Sequence, residues 1–176
     1  MRFSIFPSLA FRFGLIVSCL ALLTACGNYS FSFNEKELYR PPSIFTQYDI
    51  ADRALSGCVT QTIKDAKITK ANDLKRLNCS SAGIESLTGL ETFNKLEALN
   101  LARNQLRDLG PLAQLTRLET LILRDNAIES PEPLLSLVRL ERLDVRENEG
   151  LDCEIGRQLA SQETLTLQLP AHCLAN

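Results

Sequence analysis

The 176-residue sequence predicts an α/β solenoid: a short stack of repeated units with a parallel concave sheet of about five strands and a helical cap over its N-terminal end. Three observations predict it. Leucines return at a step of 22 residues through the second half of the chain, and asparagines and further aliphatic residues return at the same step. Just upstream, a segment carries apolar residues at the three- and four-residue spacing of an amphipathic helix. With 45% apolar and 23% charged residues and a formal net charge of -2, the composition is that of an ordinary folded chain and excludes wholesale disorder.

The elements follow in chain order. Arg2 and Arg12 precede an apolar run from Phe13 that ends in Leu23, Thr24, Ala25 and Cys26, the positive, apolar, small-residue order of a secretory signal. The run of 14 residues to Cys26 is shorter than the roughly 20 needed to span a bilayer as a helix. Leu23 to Cys26 resembles the bacterial lipobox, which implies that residues 1–25 are cleaved as a signal peptide and that the Cys26 thiol carries a diacylglyceryl group. An ordinary signal peptide that leaves Cys26 as a thiol is the alternative. Ile16 to Cys19 fits the same loose pattern, but Arg12 lies too close to leave a full apolar core before it. By the same resemblance, Gly27 rather than aspartate after the cysteine favours the outer membrane of a double-membraned bacterial envelope. Two or three acyl chains would hold the protein there, because one anchors only marginally.

Residues 26–48 read as the lipidated cysteine and a tether of about 20 residues, with no sustained period, able to reach roughly 70 Å when extended. Phe31, Phe33, Phe45 and Tyr48 are more apolar than a linker needs, so part of it is expected to pack on the domain. Residues 49–73 read as the helical cap. Ala54, Leu55, Cys58, Val59, Thr62, Ile63 and Ala66 share one helical face, with Asp49 near the N-cap and Gly57 as a local weakness.

Residues 74–176 hold the repeats and a C-terminal cap. Leu74, Leu96, Leu118 and Leu140 stand in one column, Leu77, Leu99, Leu121 and Leu143 in the next, and Cys79, Leu101, Leu123 and Val145 in a third. Asn104, Asn126 and Asn148 align, as do Ile84, Leu106 and Ile128, and Leu165 and Leu167 continue the step after Leu143 and Val145. Over about residues 50–173 the pattern resembles the leucine-rich repeat, specifically the 22-residue type of internalin-like bacterial proteins. That resemblance implies a right-handed horseshoe arc in which the leucines point inward and the asparagine satisfies backbone groups where the chain leaves the strand. Ala82 replaces the asparagine of repeat one, and Leu151 comes one place late in repeat four. Pro131 and Pro133 oppose an α-helix on the convex side and favour a 3₁₀ or extended turn, hence a flatter solenoid.

Cys58, Cys79, Cys153 and Cys173 are an even set in an exported chain. Cys79 and Cys153 stand more than three repeats apart, at least roughly 15 Å along strands spaced about 4.8 Å, whereas a disulfide needs Cα atoms within about 7 Å. Pairs between the two ends, and a zinc site using all four, are therefore excluded. Cys58 with Cys79 and Cys153 with Cys173 remain, against the alternative of buried small thiols.

The strand residues between the leucines form outward columns: Arg76, Ala98, Thr120, Arg142 and Thr164; Asn78, Asn100, Ile122, Asp144 and Thr166; Ser80, Ala102, Arg124, Arg146 and Gln168. Ile122 is apolar in the middle of such a column, near Thr120 and Asn100, with Arg103, Arg124, Arg142, Asp144 and Arg146 around it. An apolar centre with a charged rim is the anatomy of a protein-binding patch, although a single exposed isoleucine is also normal. Glu97, Glu119 and Glu141 beside Lys95, Arg117 and Arg139 read as a solvated charge ladder.

Catalysis finds no raw material. The single histidine, His172, has no acid or nucleophile at motif spacing, and no phosphate-binding, nucleotide-binding or metalloprotease motif occurs, so neither an enzyme, a metal nor a cofactor is expected. Cleavage would take two of the 19 basic side chains, leaving 17 against 21 acidic, or -4, with no basic stripe for nucleic acid. Two classes remain: an envelope-anchored module binding a protein or peptide through its concave face, and a passive structural envelope lipoprotein.

Overall fold

The computed structural model describes the backbone of residues 31–33 and 36–39 and the whole of residues 43–174. The chain forms two compact units, Met1–Ser43 and Ile44–Asn176. In the first, β1 (Phe31–Phe33) pairs antiparallel with β2 (Lys36–Tyr39), with a bulge between Phe31 and Ser32. This stretch was expected to be a tether without secondary structure. Strands of three and four residues are too short to show an alternation, although Phe31, Phe33 and Tyr39 are strong strand formers.

The second unit opens on Phe45 and Tyr48, which pack against the buried Phe93 with ring centroids 6.1 and 5.5 Å away. Phe45 donates its backbone N–H to the Ile68 carbonyl, and the Tyr48 and Thr60 hydroxyls share a hydrogen bond of 2.7 Å. Helix α1 (Arg53–Asp65) follows and buries Leu55, Val59 and Ile63, spaced four apart on one face. Ala66, expected on that face, is instead the exposed C-cap.

The N-cap is Asp52, not Asp49. Asp52 has extended backbone and accepts from the Leu55 N–H at 2.9 Å, while its second oxygen accepts from Glu85 and Ser86 of the first repeat at 2.9 and 3.0 Å. Asp49 is used earlier, where its carbonyl lies over Gly89. Gly89 has φ +95° and no room for a Cβ beneath that carbonyl. Burial alone would raise the Asp52 pKa, but the backbone N–H groups of Leu55, Glu85, Ser86 and Ala54 outweigh it and hold the carboxyl below its ordinary value.

Asp52→Asn is expected to cost about 1–2 kcal/mol at neutral pH, because it weakens a charged cap that also clips helix to repeat. Because the folded pKa is depressed, the carboxylate's contribution is full above the unfolded value of about 3.9 and fades as pH falls through the folded value. Urea titrations of both proteins at neutral and acid pH check this: the gap between them should shrink in acid.

Five parallel strands stand in chain order: β3 (Arg76–Asn78), β4 (Ala98–Asn100), β5 (Thr120–Ile122), β6 (Arg142–Asp144) and β7 (Thr166–Gln168). From β3 to β6 the register advances 22 residues per strand, pairing Leu77 with Leu99, Leu121 and Leu143 in turn. The inward side chains of β3 to β6 and the repeated convex columns of Leu90, Leu112 and Leu134 and of Phe93, Leu115 and Leu137 are at most 3% exposed and form one continuous core. Each fully buried leucine contributes about 1.5–3 kcal/mol. On the convex side, 3₁₀ turns at Leu90–Phe93, Gly110–Gln114 and Glu132–Ser136 replace α-helices, as Pro131 and Pro133 predict for the third.

The last step departs from the expected register. Thr166 pairs with Arg142, Leu167 with Leu143 and Gln168 with Asp144, a step of 24. So Thr166, not Thr164, joins the column of Arg142, and Gln168 joins that of Asp144. The convex segment of this repeat is a helix, α2 (Cys153–Ala160), capped by Asp152, and the longer path takes up the extra residues. Leu165, Leu167 and Leu169 are only half-buried, since no described strand follows β7.

Candidate functional site

The outward face of the sheet has a low floor on β4, where Ala98, Asn100 and Ala102 are all short side chains. Over it lies a hollow of about 380 Å³ walled by Thr62 of α1, Arg76 and Asn78 of β3, and Thr120 and Ile122 of β5. A second hollow of about 330 Å³ shares Asn100 and Ile122 and continues to Ser80, Arg103, Arg124 and Asp144. The two form one trough along β4, with Ile122 half-buried in its wall.

The column containing Ile122 has a structural job that Ile122 cannot do. Asn78 Oδ1 accepts from the Ser80 N–H, Asn100 Oδ1 from the Ala102 N–H and Asp144 Oδ1 from the Arg146 N–H, at 3.2, 3.0 and 3.2 Å. At the ends of β3, β4 and β6 the side chain thus bends the chain out of the strand through an Asx turn. Isoleucine has no acceptor, so at the end of β5 the turn goes without this bond. Asn100 and Asp144, read from sequence as binding candidates, are first of all turn residues.

Part of the charged rim is self-neutralised. Asp144 is 7% exposed and takes a bidentate pair from Arg146, Nε to Oδ1 at 2.9 Å and Nη2 to Oδ2 at 2.7 Å. Burial would raise the Asp144 pKa, but hydrogen bonds and charge from Arg146, with Arg124 nearby, hold it below the ordinary carboxylate value. Arg124 pairs with Glu147 at 2.6 Å. Arg142 stands outside the trough beside Thr120, Thr164 and Thr166. No carboxylate lies within ion-pair distance of Arg76, Arg103 or Arg142 among the described residues.

The structure therefore brings Ile122, Asn100 and Thr120 into one hollow and Arg124 and Asp144 into its continuation, and leaves Arg142 and Arg146 to one side. Thr62 and Arg76 belong to the trough and were missed. By sequence Thr62 belongs to the apolar face of the cap helix, and only the crossing of α1 over β3 brings it to the sheet.

The cysteines form two disulfides. Cys58 joins Cys79 with Cα atoms 5.8 Å apart, and Cys153 joins Cys173 at 5.2 Å. Cys153, His172 and Cys173 cluster closely, but both sulfurs are spent on each other, leaving only the imidazole, whose Nε2 lies 3.2 Å from the Leu151 carbonyl. Cys26 and the Leu23 to Cys26 stretch lie outside the described residues. Among those described, no helix is long and apolar enough to cross a membrane.

A parallel sheet advancing by 22 residues from β3 to β6, asparagines at 104, 126 and 148 closing the turns before them and 3₁₀ segments behind these strands make this protein a leucine-rich-repeat solenoid with an N-terminal helical cap. Two internalins of Listeria monocytogenes share the architecture. The chain is similar to InlF at 27% identity and TM-score 0.60, over 68% of this chain and 36% of that one. It is similar to internalin C2 at 22% identity and TM-score 0.59, over 72% of this chain and 62% of that one. No protein-family model and no curated protein matches the chain.

Proposed function

We propose that the protein is a non-enzymatic, envelope-anchored binding module of the 22-residue internalin-like repeat type, which holds a protein or peptide on its concave face. One observation carries the reading: Ile122 stands where Asn78, Asn100 and Asp144 each close an Asx turn, so this position gives up a backbone hydrogen bond for an apolar side chain in the wall of an open trough. The sheet face, about 24 Å long for five strands, suits a footprint of roughly 600–800 Å².

Ile122→Asn tests it with a sign that separates binding from folding. The variant can regain the Asx turn, so its stability should stay equal or rise by up to about 1 kcal/mol. A partner captured from envelope extract should lose about 2 kcal/mol or more of affinity if Ile122 is a central anchor. Thermal melts and capture titrations measure the two. Capture that is indifferent to Ile122→Asn moves the site off this face, to the Phe-rich tether or the convex side, and the absence of any captured partner favours the passive structural component.

Anchoring rests on the resemblance of Leu23 to Cys26 to a lipobox, and Gly27 favours the outer membrane. Cys26→Ser should leave an unprocessed or soluble precursor, read by intact mass and membrane fractionation. A wild-type mature N-terminus other than an acylated Cys26 overturns the anchor.

A further inference from the structure

We infer that the trough along β4 takes an extended acidic peptide in which two carboxylate residues flank one aliphatic residue at alternate positions, an acid–x–aliphatic–x–acid segment. This deepens the proposed concave-face binding and rests on it.

The trough's side-chain amides present donors, their own acceptors being already used, and only the Thr62 hydroxyl, which donates to the Cys58 carbonyl, is left purely as an acceptor. Asn78 and Asn100 each turn Oδ1 toward a backbone N–H. Only oxygen can face a donor there, so each side-chain NH2 is left facing outward, and neither finds an acceptor among the described residues. The one carboxylate in the lining, Asp144, has both oxygens engaged by Arg146. The hydroxyls of Ser80 and Thr120 serve either role. What the trough lacks is unpaired negative charge, and a ligand would have to supply it.

The cations are placed at its ends. Arg76 stands beside Ala98 at the start of β4, in strand register with it, and Arg103 follows Ala102 at the far end. Neither has an ion-pair partner among the described residues, whereas Arg124 is held by Glu147. Ala98 to Ala102 spans at most roughly 13 Å, the extended length at about 3.3 Å per residue, since the chain turns off the strand after Asn100. In an extended peptide, side chains two apart share a face, so the first, third and fifth side chains span the same roughly 13 Å. Carboxylates at the first and fifth positions would then meet Arg76 and Arg103, and an aliphatic third residue would meet Ile122 level with Asn100.

Charge elsewhere agrees. The hollow on the turn side of the repeats is lined by Asp125, Glu129, Glu147 and Glu149 around Arg107, so acidic side chains gather there while the trough's own carboxylate, Asp144, is paired.

The test uses three fluorescein-labelled, end-blocked peptides, Asp-Ala-Leu-Ala-Asp, Ser-Ala-Leu-Ala-Ser and Lys-Ala-Leu-Ala-Lys, titrated against the disulfide-bonded protein by fluorescence polarisation. The acidic peptide should bind about tenfold or more tighter than the seryl one, and the lysyl one not at all. The preference should collapse between about 0.1 M and 1 M salt, as the screening length falls from about 10 to 3 Å. The Arg76→Glu, Arg103→Glu double variant should reverse it, taking the lysyl peptide over the acidic one. Equal binding of all three, an acidic preference that survives the double variant, or no acidic binding below about 1 mM overturns the inference. Seryl-peptide binding that is lost in Ile122→Asn but indifferent to the charge swap removes the acidic specificity and leaves the concave-face reading standing. Amide shifts confined to the convex side remove both.

Discussion

Asn148→Ala is expected to cost the folded protein about 3–5 kcal/mol, a large part of the stability of a domain this size. Asn148 is fully buried and satisfies four backbone groups: its Oδ1 accepts from the Ile128 N–H at 3.1 Å, and its Nδ2 donates to the carbonyls of Leu123, Val145 and Arg146 at 3.1, 2.9 and 3.2 Å. Two of these, Ile128 and Leu123, belong to the preceding repeat. Alanine leaves buried donors and acceptors that water cannot reach, at about 1–3 kcal/mol each. Asn126 makes the equivalent bonds to Leu106, Leu101 and Leu123 but is only half-buried, so Asn126→Ala should cost less. Urea denaturation of both variants gives the ranking. A loss below about 1 kcal/mol for Asn148→Ala would mean that the turn relaxes to satisfy itself.

The same bonds explain why repeat one tolerates Ala82. Asn104 reaches back to the Ala82 and Ile84 N–H groups and the Cys79 carbonyl, so each asparagine closes the repeat before it. Repeat one has the cap helix before it instead of a repeat, and an asparagine there would have no such turn to close.

The register of β3 to β6 was legible because a fixed step of 22 brings every inward leucine onto the next. The register of β7 was not, for a reason built into strands. Leu165, Leu167 and Leu169 alternate, and a slip of two residues keeps the same faces inward and outward, so the pattern alone cannot tell a step of 22 from 24. The choice is made by α2, whose presence behind the strand depends on packing. The cap was legible as a helix through Leu55, Val59 and Ile63, but Asp49 and Asp52 are equivalent by sequence. Gly89 beneath one and Glu85 and Ser86 beside the other separate them. At the site, Ile122 could be found from its column. The Asx turns of Asn100 and Asp144, and the approach of Thr62, are contacts of the folded chain that residue type does not announce.

Removing each disulfide is expected to cost about 2–5 kcal/mol, and to act on the ends of the solenoid before its middle. Cys58–Cys79 and Cys153–Cys173 close segments of 21 and 20 residues, for which loop-closure entropy in the unfolded chain corresponds to about 3 kcal/mol. In a stack where each repeat contacts only its neighbours, the terminal units lack one interface and open first. One bridge ties α1 to the strand end of repeat one, and the other ties the start of α2 to the turn after β7. The Cys58→Ala, Cys79→Ala and Cys153→Ala, Cys173→Ala pairs should therefore be nearly additive, since the sites are far apart and share no partner. Hydrogen exchange should show protection lost in α1 and β3 for the first pair and in α2 and β7 for the second, with β4 to β6 retained. The second pair should fray more, because Leu165, Leu167 and Leu169 are only half-covered, whereas α1 buries Leu55, Val59 and Ile63 completely against the first repeat. Uniform loss of protection across all five strands would show that the stack unfolds as one unit and that the bridges do not act through its ends.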